Sequence, residues 1–183
     1  MSSLLKKKVK TLFLDYLNFK YSTTFYTEFK IPKIKKIVIH RSIAKDATNK
    51  TKFIASINEL KLITGQLPKI TLSKKKSSKF KQKKGIPVGL KVTLRKELMY
   101  YFMEKLILFV LPRELNFKGI LETSFDKQGN FNLGIKSHSS FLELDTYLSY
   151  FKNGYNINII FETSYTYKKY NKIFLEFLGI PFI

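Results

Sequence analysis

The chain has 183 residues, with 34 Lys and Arg against 13 Asp and Glu, which gives a formal net charge of +21. This length is enough for one domain with a real core, and a hydrophobic content of 44% excludes a wholly disordered chain. The sequence contains no cysteine, which excludes disulfides, thiolate catalysis and Cys-based metal sites. Because so many basic side chains repel one another, this excess of positive charge indicates a polyanion as the partner.

The charge is unevenly distributed along the chain. Residues 1–91 carry a net charge of +19 and residues 92–183 only +2. We therefore expect the surface that meets a polyanion to lie in the first half. The longest apolar run, Leu106 to Leu111, is far shorter than the roughly 18–20 residues that cross a bilayer. The sequence thus predicts neither a transmembrane helix nor a signal peptide.

The first predicted element is a helix from Leu4 to Phe19, where apolar residues recur at helical spacing and lysines occupy the other face. A basic amphipathic N-terminus is also typical of an import presequence. However, the segment lacks Arg, contains Asp15 and continues without a break into the following residues. These features favour a structural helix.

The rest of the chain predicts strands and helices in irregular order. Residues 33–40 and 89–95 alternate between apolar and polar side chains, as a strand does when one face is buried. Residues 46–64 and 97–111 have apolar side chains at helical spacing, and Gly65 and Pro112 mark their ends. The predicted strands are 33–40, 69–72, 89–95, 119–125, 130–135 and 156–163, and the later helices are 46–64, 97–111 and 165–178.

This order of elements has no regular alternation of strand, helix and strand. It therefore predicts an α+β fold. Because no internal repeat or linker divides the sequence, we predict a single domain over residues 1–183, in which residues 1–28 form the N-terminal helix and its lead-in.

The loop from Ser73 to Gly85 has seven lysines and no acidic residue. Lysines that neutralise phosphates release counterions, and an aromatic ring within the loop could stack on a base. A solvated, disordered loop is the alternative, but the position of the loop in the basic half of the chain favours RNA contact. The predicted contacts are Lys74, Lys75, Lys76, Lys79, Phe80, Lys81, Lys83 and Lys84.

The polar faces of two predicted strands form a second candidate site. Lys36 and His40 lie on one strand, and Lys91, Thr93 and Arg95 lie on another. Cations and hydroxyl groups on a rigid sheet can bind RNA through its shape and its ribose 2′-hydroxyls. An ordinary solvated sheet face would have the same pattern, and from these residues alone both interpretations remain open.

We find no pattern of residues that predicts an enzyme. The two histidines, His40 and His138, lack metal-ligand spacing. On a strand Glu143 and Asp145 would share one face, but without a His, Cys or third carboxylate beside them they do not predict a metal or acid–base site. We therefore expect no catalytic residues, no metal and no cofactor.

Several of these stretches resemble the universal large-subunit ribosomal protein L5 family. The resemblance is carried by residues 63–71 (ITGQLPKIT), 85–95 (GIPVGLKVTLR) and 125–135 (FDKQGNFNLGI) and extends from residue 29 to the C-terminus. It implies an α+β fold in which helices pack on one side of an antiparallel sheet, with the basic loop between two central strands. It also implies a non-enzymatic role in the central protuberance of the large subunit.

The resemblance further implies specific partners. The chain would bind a helix of large-subunit rRNA and, where the ribosome contains one, 5S rRNA; the residues implied are Lys33, Lys36, His40, Gln66, Thr71, Lys91, Thr93 and Arg95. The basic loop would reach P-site tRNA. The hairpin would meet a small-subunit head protein in an intersubunit bridge, through Asp126, Gly129, Asn130 and Lys136. Neighbouring ribosomal proteins are further expected partners.

Lys supplies 31 of the 34 basic residues, although Arg is the better bidentate phosphate ligand. Lysine has AT-rich codons, so this bias indicates an AT-rich genome and favours an organelle-encoded protein of the mitochondrial ribosome. A peripheral protein that binds anionic membranes through the same lysines is the alternative function. It is the weaker one, because Phe80 is the only apolar residue within the lysine run.

Overall fold

The computed structural model describes residues 12–13, 15–16, 19, 32–43, 49–76, 83–115, 117–135, 138–144, 155–161 and 168–183. Within these residues five strands form one antiparallel sheet in the order β2-β3-β1-β5-β4. The strands are β1 (Ile34–Ser42), β2 (Lys69–Leu72), β3 (Pro87–Leu94), β4 (Phe131–Ile135) and β5 (Tyr155–Phe161). The longer helices are α1 (Lys50–Thr64), α2 (Lys96–Lys105) and α3 (Lys168–Leu178). The predicted α+β fold with an antiparallel sheet is confirmed.

One face of the sheet forms the hydrophobic core. Ile37 and Ile39 of β1 pair with Leu94 and Val92 of β3, and all four side chains are buried. The helices cover this face, so the prediction that they pack on one side of the sheet is confirmed. Their buried contributions to the same cluster are Leu60, Ile63, Met99, Phe102, Met103, Ile173, Phe174, Leu175 and Leu178.

The N-terminal segment contributes one ring to this core. Phe13 is buried and helical, and its ring centroid lies 5.0 Å from that of Phe174 and 5.1 Å from that of Phe177. This packing agrees with the interpretation of the segment as a structural helix. Most of the predicted helix lies outside the described residues.

Helix α1 ends where the sequence predicts. Gly65 has a φ of 68°, in the left-handed region that favours glycine, and its N–H donates to the carbonyl of Lys61 at 2.8 Å. The described helix begins at Lys50 and not at the predicted residue 46. Asn49 caps it by accepting a hydrogen bond from the N–H of Thr51 at 3.1 Å. Residues 44–48 lie outside the described residues.

The helix predicted at residues 97–111 continues past its predicted end. Helix α2 is followed by a π-helical segment, Leu106–Val110, and a last turn, Leu111–Arg113. Pro112 lacks an N–H, and its ring would clash with the carbonyl four residues before it in a regular helix. The wider π-helical turn, in which the N–H of Leu111 donates to the carbonyl of Leu106, accommodates the proline. The prediction that Pro112 ends the helix is therefore wrong by about one residue.

The prediction of a strand at residues 119–125 is wrong. Residues Glu122–Ser124 form a short 3-10 helix, and Ile120 makes only an isolated parallel bridge with Phe182. The N–H of Ile120 donates to the carbonyl of Pro181 at 3.0 Å, and the N–H of Ile183 donates to the carbonyl of Ile120 at 3.0 Å. The C-terminal residues thus take the backbone hydrogen bonds that a neighbouring strand would need.

The prediction that the basic loop joins two central strands is wrong. It joins β2 to β3, and β2 is an edge strand of the sheet. The predicted strands 33–40, 69–72, 89–95, 130–135 and 156–163 correspond to β1, β2, β3, β4 and β5 with shifts of up to two residues at described ends. Among the helices of the described residues, none is long and apolar enough to cross a membrane.

Candidate nucleic-acid interface

A single row of residues crosses the whole sheet on the face opposite the core, which we call the open face. Lys91 of β3 lies opposite Lys69 of β2 and His40 of β1. His40 lies opposite Asn156 of β5, which in turn lies opposite Gly134 of β4. His40 is half-buried and the other four residues are exposed. At about 4.8 Å per strand, the row is about 19 Å wide.

Small and polar residues flank this row on both sides. Thr93 of β3 lies opposite Val38, and Asn132 of β4 lies opposite Asn158 of β5. On the other side of the row, Gly89 of β3 lies opposite Thr71 of β2 and also opposite Ser42 of β1. Val38 is buried. It does not belong to the core cluster, which agrees with its position on the open face.

The electrostatic character of the open face is uniform. None of the residues in the five strands is Asp or Glu. Lys36, Lys69 and Lys91 therefore have no carboxylate beside them within the sheet. Such a surface attracts phosphate groups, and its threonine and asparagine side chains can exchange hydrogen bonds with ribose hydroxyls.

Gly89 leaves room for the two neighbouring strands on the open face. A Cβ atom at this position would lie 2.9 Å from the Oγ1 of Thr71 and 3.0 Å from the carbonyl oxygen of Arg41. Both distances are shorter than an ordinary van der Waals contact, and the second involves backbone that cannot rotate away. Glycine is therefore required where β1 and β2 approach β3 from both sides.

Five of the eight predicted rRNA-binding residues come together on the open face. They are Lys36, His40, Thr71, Lys91 and Thr93. The other three lie beside it. Lys33 precedes β1 and Arg95 follows β3, so their predicted placement on strands is wrong, although both are exposed. Gln66 is exposed in the turn between α1 and β2.

Several polar residues of this face were not predicted from the sequence, among them Lys69, Asn132 and Asn156. Each of them stands at an alternate position of its strand, next to an apolar residue. That pattern would have placed them on a polar face. Their position in a row with His40 and Lys91 depends on the strand order, which the pattern does not contain.

The basic loop is anchored at its base. The N–H of Ser73 donates to the carbonyl of Ile86 at 2.9 Å, and the N–H of Gly85 donates to the carbonyl of Ser73 at 3.0 Å. These bonds extend the β2–β3 hairpin beyond the ends of the two strands, and the exposed lysines beyond them are Lys74, Lys75, Lys76, Lys83 and Lys84. The remaining predicted contacts of the loop, Lys79, Phe80 and Lys81, lie outside the described residues.

The turn before β4 is held by the residues predicted to contact the small subunit. The Oδ1 of Asp126 accepts from the N–H groups of Gln128 at 2.9 Å and Asn130 at 2.7 Å. The amide of Asn171 in α3 donates to the carbonyl of Gly129 at 2.9 Å. The exposed tip of the turn is therefore formed by Lys127 and Gln128. Lys136 lies outside the described residues.

Family models match both parts of the chain. One described as Ribosomal protein L5 matches residues 28–83, and one described as ribosomal L5P family C-terminus matches residues 87–182. The chain belongs to the ribosomal protein L5 family. It is accordingly a structural, non-enzymatic constituent of the large ribosomal subunit, with rRNA and ribosomal proteins as partners.

Members of the L5 family from several sources are similar over most of their length. Large ribosomal subunit protein uL5 of Karelsulcia muelleri (strain GWSS) is 38% identical over 179 residues, which cover 98% of this chain and 92% of the relative. The uL5 protein of Mycoplasmopsis synoviae (strain 53) is 38% identical over 181 residues, covering 98% and 94%. The uL5c protein of Cyanidium caldarium is 42% identical over 154 residues, covering 84% of each.

A buried charged cluster in this L5-family chain escaped the sequence analysis. Arg41 of β1 is 1% exposed, and its Nη1 donates to the Oε2 of Glu59 in α1 and, at 3.1 Å, to the hydroxyl of Tyr155 in β5. The Tyr155 hydroxyl donates to the same Glu59 oxygen at 3.3 Å. Burial raises the pKa of Tyr155 above its usual value; the Arg41 charge opposes this shift and Glu59 adds to it.

The position of Arg41 shows how the cluster could have been found. Arg41 is two residues after Ile39 and four after Ile37, so it falls on the core side of the alternation in β1. A basic residue at such a position needs a buried partner. Glu59, next to the buried Leu60, provides it from α1.

Only one member of the predicted carboxylate pair, Glu143, lies within the described residues. Glu143 lies in a 3-10 helix, Leu142–Leu144, and not on a strand, and it forms an ion pair with Lys105 at 2.5 Å. Asp145 lies outside the described residues. Within the described part of this L5-family chain, no group of three His, Cys, Asp or Glu side chains could hold a metal ion.

Proposed function

We propose that the open face binds large-subunit rRNA, and 5S rRNA in ribosomes that contain it. The observation that carries this proposal is the row from Lys69 to Gly134, which crosses five strands that contain neither Asp nor Glu. The minor groove of A-form RNA is wide and shallow and displays 2′-hydroxyls. An open sheet face with lysines and amides complements such a surface.

The basic loop, in this proposal, contacts tRNA in the P site. Its lysines follow the end of β2 and precede the start of β3, so they do not belong to the row on the open face. Lysines on a loop supply attraction that depends on charge more than on sequence. Such attraction suits a ligand that enters and leaves the ribosome in each elongation cycle.

The tip of the turn before β4 is the proposed contact with the small-subunit head. Asp126, Gly129 and Asn130 shape the turn and so present Lys127 and Gln128 to a partner. The turn is fixed by α3 as well as by its own hydrogen bonds, which suits a contact between two large bodies.

We also propose that the ribosome concerned is mitochondrial. The support is the excess of Lys over Arg, 31 of 34 basic residues, which physical chemistry does not require for phosphate binding. Fractionation of the cells that make the protein, followed by detection in purified mitochondrial ribosomes, tests this proposal.

The rRNA proposal is tested by comparing two double variants of equal charge change. Lys69→Ala with Lys91→Ala removes two lysines from the open face, and Lys52→Ala with Lys61→Ala removes two exposed lysines from α1. Because each lost phosphate contact lowers the salt slope of binding by roughly 0.7–0.9, we expect the first pair to lower it by roughly 1.4–1.8. The second pair should leave it nearly unchanged.

The measurement is a titration of large-subunit rRNA, 5S rRNA and a random duplex of equal length at several salt concentrations. The unmodified chain should prefer ribosomal RNA at physiological salt. Equal losses in both double variants, or no preference over the random duplex, would contradict the proposal.

The loop proposal is tested by replacing Lys74, Lys75 and Lys76 with Ala. We expect weaker tRNA binding to the P site of assembled ribosomes, with normal incorporation of the chain into the large subunit. Both are measured on the same particles, by tRNA filter binding and by quantitative mass spectrometry. If incorporation falls while tRNA binding per incorporated chain is unchanged, the loop serves rRNA and the proposal is wrong.

A further inference from the structure

The outward side of α2 and its π-helical continuation is unusually apolar. Leu98, Tyr101, Leu108 and Phe109 are 48%, 43%, 59% and 48% exposed. The inward side of the same helix already packs on the sheet through Phe102 and other core residues. A surface helix normally has a polar outward side, and one that is apolar on both sides is usually covered.

Three of these four side chains line one groove and are not isolated apolar residues on the surface. Tyr101, Leu108 and Phe109 line it from the helix, and Leu142 lines it from the 3-10 helix Leu142–Leu144. The groove has a volume of about 430 Å³. It belongs to the helical layer, which lies on the core side of the sheet, so a partner bound there would not compete with RNA on the open face.

The charges at the rim of the groove distinguish between possible occupants. The carboxylates of Glu104 and Glu143 border it, together with the ammonium group of Lys105. Lys105 is directed inward, because it donates to the carbonyl of Ile63 and pairs with Glu143. Because Lys105 neutralises Glu143, Glu104 leaves the rim with a net negative charge, in a chain whose net charge is +21.

The charge of the groove disfavours two occupants, and the net charge of the chain disfavours a third. RNA phosphates and anionic lipid headgroups would be repelled by the carboxylates. A second copy of the chain would bring two charges of +21 together. A basic protein segment with an apolar side would match both the apolar lining of the groove and the negative charge at its rim.

We propose that the groove docks a basic, amphipathic segment of another protein of the large subunit. Apolar side chains of this segment would cover Leu108 and Phe109, and a Lys or Arg side chain would lie beside Glu104. This contact lies on the helical layer and does not depend on where rRNA binds, so it goes beyond the function proposed above.

The first test compares the isolated chain with the chain in purified native large subunits, by hydroxyl-radical footprinting. Oxidation of Tyr101, Leu108 and Phe109 should be at least fivefold slower in the subunit. Leu121, which is 60% exposed against 59% for Leu108, calibrates the radical dose in the isolated chain. Equal oxidation rates of the groove residues in both samples would overturn the proposal.

The second test identifies the occupant by carbodiimide crosslinking of the same native subunits. This zero-length reagent joins a carboxylate to an adjacent amine, so Glu104 or Glu143 should become linked to a lysine within an apolar, basic segment of another ribosomal protein. Protection of the groove without a crosslink from it to another protein, or with a crosslink to a second copy of this chain, would overturn the proposal.

Substitutions then separate docking from folding. Glu104→Lys should lower the amount of the crosslinked protein in assembled subunits at least fivefold, whereas Glu104→Asp should retain it. Incorporation of the chain itself and its rRNA affinity should stay unchanged in both variants. Leu108→Ser provides a second variant should Glu104→Lys fail to fold, and unchanged partner content in Leu108→Ser subunits would contradict the proposal.

Discussion

His40 and Arg41 are adjacent on β1, and they lie on opposite faces of the sheet. His40 stands in the middle of the open face, between Lys91 and Asn156. Arg41 is 1% exposed and is held between Glu59 and Tyr155 in the core. Strand parity, and not residue type, thus decides which basic side chain is available to RNA.

The two faces should also respond differently to substitution. Removal of one partner from a buried ion pair leaves an uncompensated buried charge, which costs about 3–5 kcal/mol. Removal of an exposed lysine usually changes stability by less than about 0.5 kcal/mol. The core face should therefore control stability, and the open face should control RNA affinity.

The largest expected effect is that of Arg41→Ala. It leaves the Glu59 carboxylate buried without its cation and should lower the free energy of unfolding by about 3–5 kcal/mol, measured by urea denaturation. The double variant Arg41→Met, Glu59→Leu should lose less, because it leaves no buried charge. A loss below about 1 kcal/mol for Arg41→Ala would show that the pair does not stabilise the core.

Gly89→Ala should have the next largest effect. Its Cβ would press on Thr71 and on the backbone of Arg41, and overpacking of this kind costs about 1–3 kcal/mol. Gly134→Ala is the matched control on the same face, because its Cβ would meet only the Oδ1 of Asn156 at 3.5 Å. Thermal unfolding of both variants measures the difference, and equal destabilisation would refute the close approach at Gly89.

Asn156→Asp tests whether the absence of acidic residues on the open face matters. A carboxylate about 4 Å from a phosphate in solvent costs about 1 kcal/mol, or roughly fivefold in rRNA affinity. Stability should change little, because the residue is exposed. Gln128→Glu at the exposed turn adds the same charge away from the face and should leave affinity for isolated rRNA unchanged. Equal losses of rRNA affinity in the two variants would contradict the proposal that the open face binds rRNA.

Tyr155→Phe should alter how stability depends on alkaline pH. The pKa of Tyr155 is raised by folding, so above about pH 10 the unfolded chain binds fewer protons than the folded one and stability falls as pH rises. Phenylalanine cannot ionise, so the variant should lack this contribution, up to about 1.4 kcal/mol per pH unit.

At pH 8 the Tyr155→Phe variant should be less stable than the unmodified chain by about 1 kcal/mol, because the hydroxyl hydrogen bonds are lost. The difference should narrow above about pH 10. Parallel stability curves from pH 8 to pH 11.5, measured by urea denaturation, would contradict the raised pKa.

Local patterns predicted most of the fold, and long-range pairing explains what they missed. Alternation identified β1 and β3, and Gly65 identified the end of α1. The segment at residues 119–125 has a strand-like composition, but its backbone pairs with residues 181–183, far along the chain. The π-helical turn before Pro112 depends on how the proline is accommodated, which helical periodicity does not encode.

The candidate site was predictable to a similar extent. Lys36, His40, Lys91 and Thr93 follow from alternation within single strands. Asn156 lies in the same row as His40 and Lys91 only because β1 is placed between β3 and β5 in the sheet. Alternation within one strand does not predict this order. Arg41 was missed because the strand was predicted to end at residue 40, whereas β1 continues to Ser42 and places Arg41 on its core side.

The most direct test of the central claim is ultraviolet crosslinking of RNA to the chain in unmodified large subunits, with residue-level mapping by mass spectrometry. Crosslinks to rRNA should fall on open-face residues such as Lys36, His40, Lys69 and Lys91. The outer surfaces of α1 and α2 should remain free of them. Crosslinks confined to those helices, with none on the open face, would contradict the assignment of the sheet to rRNA.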